Sequence, residues 1–160
     1  MTGSALEAIV LFLDTDGIRH LVPLGGRTLR PEWGGDLDPH EVVVDAVAEL
    51  GLAPIMVHST SWRVAEDAIV LTFIVVVESP ARLPVGYGTG LVTRSELARG
   101  RATAPPPSVH LDQVVEHGLR HLAWLVLEDD SIREALSGWS SVLGGYAPEP
   151  FRAFGRKPGV

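Results

Sequence analysis

DLDPHEVVVDAVAELGL, residues 36 to 52, carries the signals of one complete helix. Asp38 is a good N-cap, Pro39 suits the first helical position, and Glu41 stands three residues after the cap as a capping box requires. The helix should run to Leu50 and stop at Gly51, where a left-handed terminal residue is favoured. Residues three and four apart share a helix face. Val42, Val43, Ala46, Val47 and Leu50 therefore make a core-facing stripe, while Glu41, Asp45 and Glu49, with Asp38 beside them, form a carboxylate column on the other side.

Strand patterns surround this helix. Leu6 to Leu13 is apolar and β-prone, Asp14-Thr15-Asp16-Gly17 closes it as a turn, and Ile18 to Leu24 reads as the returning strand of a hairpin. A glycine-rich loop, Gly25 to Leu37, leads into the helix. Two further strands are expected at Ile55 to Trp62 and Ala68 to Val77, with a turn around Ala65-Glu66-Asp67. Residues 79 to 108, rich in Pro, Gly and Ala, read as a long connection with a short helical piece at Arg94 to Arg99. Ser108 is the expected cap of a second helix, Val109 to Leu127, and Ser131 that of a third, ending at Leu136. The expected architecture is α/β, with a mixed sheet sandwiched between helices in one domain over residues 1 to 140. Residues 141 to 160 form a C-terminal tail.

Composition sets the bounds. The chain has 160 residues, 46% hydrophobic and 21% charged, enough for a core without staples. It has no cysteine, so disulfides, thiolate metal sites and cysteine nucleophiles are excluded. The longest apolar run, Ala68 to Val77, is about half a membrane span. The run Ala8 to Leu13 lacks the basic start and cleavage site of a secretory signal. A cytoplasmic protein with no membrane association is expected. A net charge of −7 argues against general nucleic-acid binding. No lysine or arginine falls between Arg30 and Arg63, whereas Glu32, Asp36, Asp38, Glu41, Asp45 and Glu49 all do. Like charges at i, i+4 each cost about 0.2–0.5 kcal/mol in an isolated helix. A hard divalent cation, Mg²⁺ or Mn²⁺, would relieve that repulsion; a solvated acidic face would leave it in place.

The same stretch resembles the Nudix box, which runs Gly, five residues, Glu, seven residues, Arg-Glu, aliphatic, any, Glu-Glu, any, Gly, aliphatic. Anchored on Gly51-Leu52, it puts Glu49 at the second Glu of the pair, Asp45 at the Glu of Arg-Glu and Asp36 at the first Glu. Pro23-Leu24-Gly25-Gly26 is similar to the family's Pro-Gly-Gly, and the resemblance spans roughly residues 6 to 78. Arg30, Val44 and Ala48 stand where the family has Gly, Arg and Glu. The resemblance implies a Nudix-like fold and a Mg²⁺- or Mn²⁺-dependent hydrolase of a nucleoside diphosphate-linked compound. Its metal ligands would come from Asp36, Asp45 and Glu49, with Asp45 and Glu49 catalytic; Glu41, which matches no box position, lies one turn before Asp45 on the same face and could supply a replacement ligand. Water activated by the cation would attack phosphorus, and Arg27 or Arg30 would grip phosphate. Loss of the box Arg and Glu equally fits a Nudix-like domain that binds a phosphate-containing small molecule without hydrolysing it. A protein whose acidic helix is only surface is the third reading.

Trp62 could stack a base, or be an ordinary half-buried strand aromatic. His110, His117 and His121 line one edge of the second helix, within about 20° of one line. Only His117 and His121 have the i, i+4 spacing to share a metal, and a boundary role competes with that reading. No Gly-x-Ser-x-Gly elbow or phosphate loop is present. Trp139, Tyr146, Phe151 and Phe154 interleave with Arg152, Arg156 and Lys157, a composition suited either to an interface or to packing on the chain's own domain. For an interface, a second copy is the default partner, giving a homodimer.

Overall fold

The structure is a computed structural model that describes residues 3–65, 67–97 and 109–149. The chain divides into two compact units, Met1–Val92 and Thr93–Val160. The first holds β1 (Gly3–Asp14), β2 (Gly17–Pro23), α1 (Pro39–Glu49), β3 (Pro54–Ala65), β4 (Ala68–Val77) and β5 (Tyr87–Leu91). The second holds α2 (Leu111–Glu128), α3 (Asp130–Ala135), a 3₁₀ turn (Ser137–Trp139) and α4 (Ser140–Leu143).

The five strands form one mixed sheet in the order β3-β4-β1-β2-β5. β1 and β2 pair antiparallel around a two-residue loop, with Asp14 opposite Gly17. β3 and β4 form the second hairpin, and Asp67 takes φ 63° at its turn. The hairpins meet where β4 runs parallel to β1, from Gly3 opposite Ala68 to Leu11 opposite Val76. A parallel pair needs a crossover, and the loop with α1 is part of it. The central strands are correspondingly apolar on both faces: Leu6 and Ala8 to Phe12 are buried, as are Val70 and Phe73 to Val77.

α1 follows its sequence signals closely. The Asp38 side chain accepts a hydrogen bond from His40 N at 2.8 Å, so the cap forms without the expected reciprocal bond from Glu41. At the other end Gly51 has φ 74°; its N–H donates to Ala48 O at 2.9 Å and Leu52 N–H to Val47 O at 3.4 Å. Those two bonds make a Schellman termination. Val43 and Val47 pack into a core with Leu6, Ala8, Val10, Phe12, Leu21, Phe73, Val75 and Val77. This defines the α1 face of the sheet. Glu7, between Leu6 and Ala8 on a strand, faces the other way.

Several expectations change. β5 lies inside the segment expected to be a connection and pairs antiparallel with β2. Its sequence, Tyr-Gly-Thr-Gly-Leu, hides the strand because glycine weakens any strand pattern. Gly90 is there for room: a Cβ on it would lie 2.5 Å from His20 Nε2 on the facing strand. Residues 94 to 97 form no helix, and the remainder of the expected helical piece, with Ser108, lies outside the described residues. α2 starts at Leu111, where His110 N–H bonds Gln113 Oε1 at 2.9 Å. Asp129, not Ser131, caps α3, accepting from Ser131 N at 2.8 Å and Ile132 N at 3.2 Å. Carboxylate and hydroxyl compete for the same cap, and the charged acceptor binds the helix terminus more strongly.

Candidate functional site

The carboxylates singled out by the sequence all point to solvent. Asp36 lies in the loop before α1, and Glu41, Asp45 and Glu49 line the helix's outer face. Glu41 and Glu49 are two turns apart, about 12 Å along the axis at 1.5 Å per residue. Such a spread does not close around a single ion; only neighbours one turn apart, such as Asp45 and Glu49, are near enough to share one. Among the described residues, no three histidine or acidic side chains come together as a group able to hold a metal ion. His117 is nearly buried on α2, and His121 lies against Trp124 with ring centroids 5.8 Å apart.

Of the arginines proposed to grip phosphate, Arg30 lies on the sheet face away from that helix. Arg27 is exposed in the glycine-rich loop. Leu29 forms an isolated bridge with Ala8, its carbonyl accepting from Ala8 N at 2.8 Å, and its side chain packs on the α1-face core. Its neighbours Thr28 and Arg30 consequently reach the opposite face, where Glu7 lies. Trp62, opposite Leu71 on β4, belongs to the α1 face and is 67% exposed, not half-buried. Among these candidates the structure groups none with the acidic column.

What it does group is a set built on Glu7, a carboxylate almost fully buried on β1. Arg63 of β3 spans both of its oxygens, with Nη1 2.8 Å from Oε1 and Nη2 2.9 Å from Oε2. Thr72 Oγ1, directly across the parallel pair, donates to Oε1 at 3.2 Å, and Thr28 Oγ1 donates to Oε2 at 3.1 Å. Arg30 Nη2 stands 3.6 Å from Oε2, within ion-pair range and outside hydrogen-bond range. Burial pushes the Glu7 carboxyl up, but the hydrogen bond and charge of Arg63, helped by Thr28 and Arg30, outweigh it and hold the group below the usual glutamate range.

The second unit has its own buried carboxylate, Glu116 of α2. It accepts from Arg94 Nε at 3.1 Å and Nη2 at 3.0 Å, from Arg120 Nε at 3.0 Å, and from Ser95 N at 3.3 Å. Arg120 also donates to Glu149 at 2.9 Å. Arg94 reaches the Gly145 carbonyl and stacks 4.2 Å from the Tyr146 ring centroid. Burial raises the Glu116 carboxyl, and the two arginines more than reverse this, leaving it below its ordinary value. Trp139 and Tyr146 are buried too, so these two tail aromatics are core residues; Phe151, Phe154, Arg152, Arg156 and Lys157 lie outside the described residues.

Sequence reasoning missed Glu7 and Arg63, although the signal was present. Glu7 is an ionic residue inside an expected strand and Arg63 directly follows another, and an ionic group in a sheet interior requires a partner. Which partner it finds depends on strand order, which one sequence does not give. No family model and no curated protein matches the chain. Among the described residues, no helix is long and apolar enough to cross a membrane.

Proposed function

We propose that this chain is a divergent Nudix-like domain that binds a phosphate-bearing small molecule without the carboxylate cage of a metal-first hydrolase. One observation carries the reading: Arg30 stands beside Glu7 on the sheet face opposite α1, while Asp36, Glu41, Asp45 and Glu49 stay dispersed and exposed. Metal-assisted hydrolysis needs the cation and the phosphate grip at the same phosphorus. Here Arg30 and the carboxylates of α1 are on different sides of the sheet. The hairpin, glycine-rich loop, helix and strand order supports the fold half of the reading, as does the Schellman stop at the Gly51-Leu52 anchor.

A hydrolase built on Asp45 and Glu49 is the second reading. Their i, i+4 placement on one exposed face favours it, since Mg²⁺ accepts one or two carboxylates with waters and substrate phosphates. A thermal-melt titration separates the two. A ligand at about 100 times its dissociation constant stabilises the folded state by roughly 2.7 kcal/mol. We expect a nucleoside diphosphate to raise the melting temperature saturably in metal-free buffer, with Mg²⁺ or Mn²⁺ alone adding no saturable increment. A metal increment abolished by Asp45→Asn with Glu49→Gln, together with turnover of a diphosphate compound, would replace this reading with the hydrolase.

A further inference from the structure

The group around Glu7 contains more cation than its carboxylate can use. A carboxylate offers about four lone-pair sites, and Arg63 Nη1 and Nη2, Thr28 and Thr72 approach Glu7 at 2.8, 2.9, 3.1 and 3.2 Å. Arg63 Nη1 gives its hydrogen bond to Thr72 Oγ1 at 2.8 Å, and Arg30, at 3.6 Å from Oε2, pairs with the carboxylate by charge alone. One carboxylate facing two guanidiniums leaves a positive charge in excess, and Arg30, 51% exposed, is the arm that carries it to solvent. Its loop is pinned by the Leu29–Ala8 bridge, so the guanidinium is displayed from an anchored backbone. Arg27 adds a second exposed guanidinium three residues earlier in the same loop.

We infer that Arg30, backed by the Glu7–Arg63 pair, is the phosphoryl-binding arm of this protein, taking a terminal phosphate or diphosphate group without a metal ion. This rests on the reading that the chain binds a phosphate-bearing ligand, and it names the group that grips it. Guanidinium presents a planar fork of donors that matches two phosphoryl oxygens. The neighbouring Glu7 carboxylate does not repel such a ligand strongly, because Arg63 already neutralises it.

Calorimetric titration with inorganic pyrophosphate in metal-free buffer tests the assignment. Wild type should bind saturably. Arg30→Met should weaken binding by roughly ten- to a hundredfold, the weight of a charge-assisted hydrogen bond. Arg30→Lys keeps the charge and loses the fork, and should fall between. Asp45→Asn with Glu49→Gln should bind as tightly as wild type or tighter. The half-exposed Arg30 side chain makes its variants safe folding controls, checked by their melting temperatures. Unchanged affinity in Arg30→Met overturns the inference, as does loss of binding in the Asp45, Glu49 variant alone. Either result still leaves a phosphate-binding protein. No binding by wild type sinks both this assignment and the broader reading.

Discussion

Glu7 on β1 and Glu116 on α2 are both buried carboxylates met by two arginines, and they end differently. At Glu116 every charge is committed. Arg94 is shared with the Gly145 carbonyl and the Tyr146 ring, Arg120 is shared with Glu149, and two acids balance two arginines. That arrangement is a closed knot, tying residues 94, 95 and 145 to 149 to the middle of α2. At Glu7 one carboxylate faces two guanidiniums, Arg30 pairs with it without a hydrogen bond, and a half-exposed positive charge is left over. The same chemistry is a staple when it balances; where it does not, it leaves the guanidinium that we propose takes an anion.

Four changes probe that contrast. Glu116→Gln has the largest expected effect: breaking a buried ion-pair network by removing one partner costs about 3–5 kcal/mol, read as a lower urea midpoint. Proteolytic sensitivity should rise around residues 144 to 149, because that segment loses Arg94 and Arg120 as its anchors. Glu7→Gln should cost less, about 1.5–3 kcal/mol for hydrogen bonds to a charged group, because Glu7 accepts three hydrogen bonds where Glu116 accepts four. If the two variants cost the same, the distinction between the balanced and the unbalanced group loses its energetic side. Arg30→Met should change stability by no more than about 1 kcal/mol, as a half-exposed pair allows, while weakening pyrophosphate binding roughly ten- to a hundredfold. Asp45→Asn with Glu49→Gln should stabilise α1 slightly, by about 0.2–0.5 kcal/mol per relieved like-charge pair.

Acid sharpens the comparison from another side. Both carboxyls are held below the usual range, so each stabilises the folded chain above its unfolded pKa, about 4.3 for glutamate. That contribution is lost as the pH falls through the depressed folded value. The stability gap between wild type and Glu116→Gln should therefore be flat near neutrality and shrink below about pH 4. A gap that persists undiminished in strong acid would mean that ionisation of Glu116 contributes nothing.

Much of the sheet was readable from the chain because its signals are local. The first hairpin follows from an apolar run ending in Asp-Thr-Asp-Gly, and α1 from Asp38-Pro39 and Gly51. β4 follows from ten residues of which all but one are apolar. β5 was unreadable because its two glycines break the strand pattern, and Gly90 answers to His20 on another strand, a constraint visible only after pairing. The site divides the same way. The acidic column is a one-helix pattern and could be seen, but a pattern on one helix does not say whether its carboxylates converge. Glu7, Thr28, Arg63 and Thr72 come from three strands and a loop, and they meet only through the β1–β4 and β3–β4 registers and the Leu29–Ala8 bridge. Trp62 looked like a half-buried residue because strands alternate, yet β3 is an edge strand and leaves it open.

The central claim is that anion binding belongs to the Glu7 side of the sheet and not to the acidic face of α1. Mapping backbone amide shifts during a pyrophosphate titration, without metal and then with Mn²⁺, tests it most directly. The account predicts saturable shifts confined to Glu7, the 27 to 30 loop and Arg63, with no Mn²⁺ broadening that follows the bound ligand. Shifts centred on Asp45 and Glu49, with Mn²⁺ broadening that grows as ligand is added, would contradict it and return the acidic helix to the centre of the chemistry.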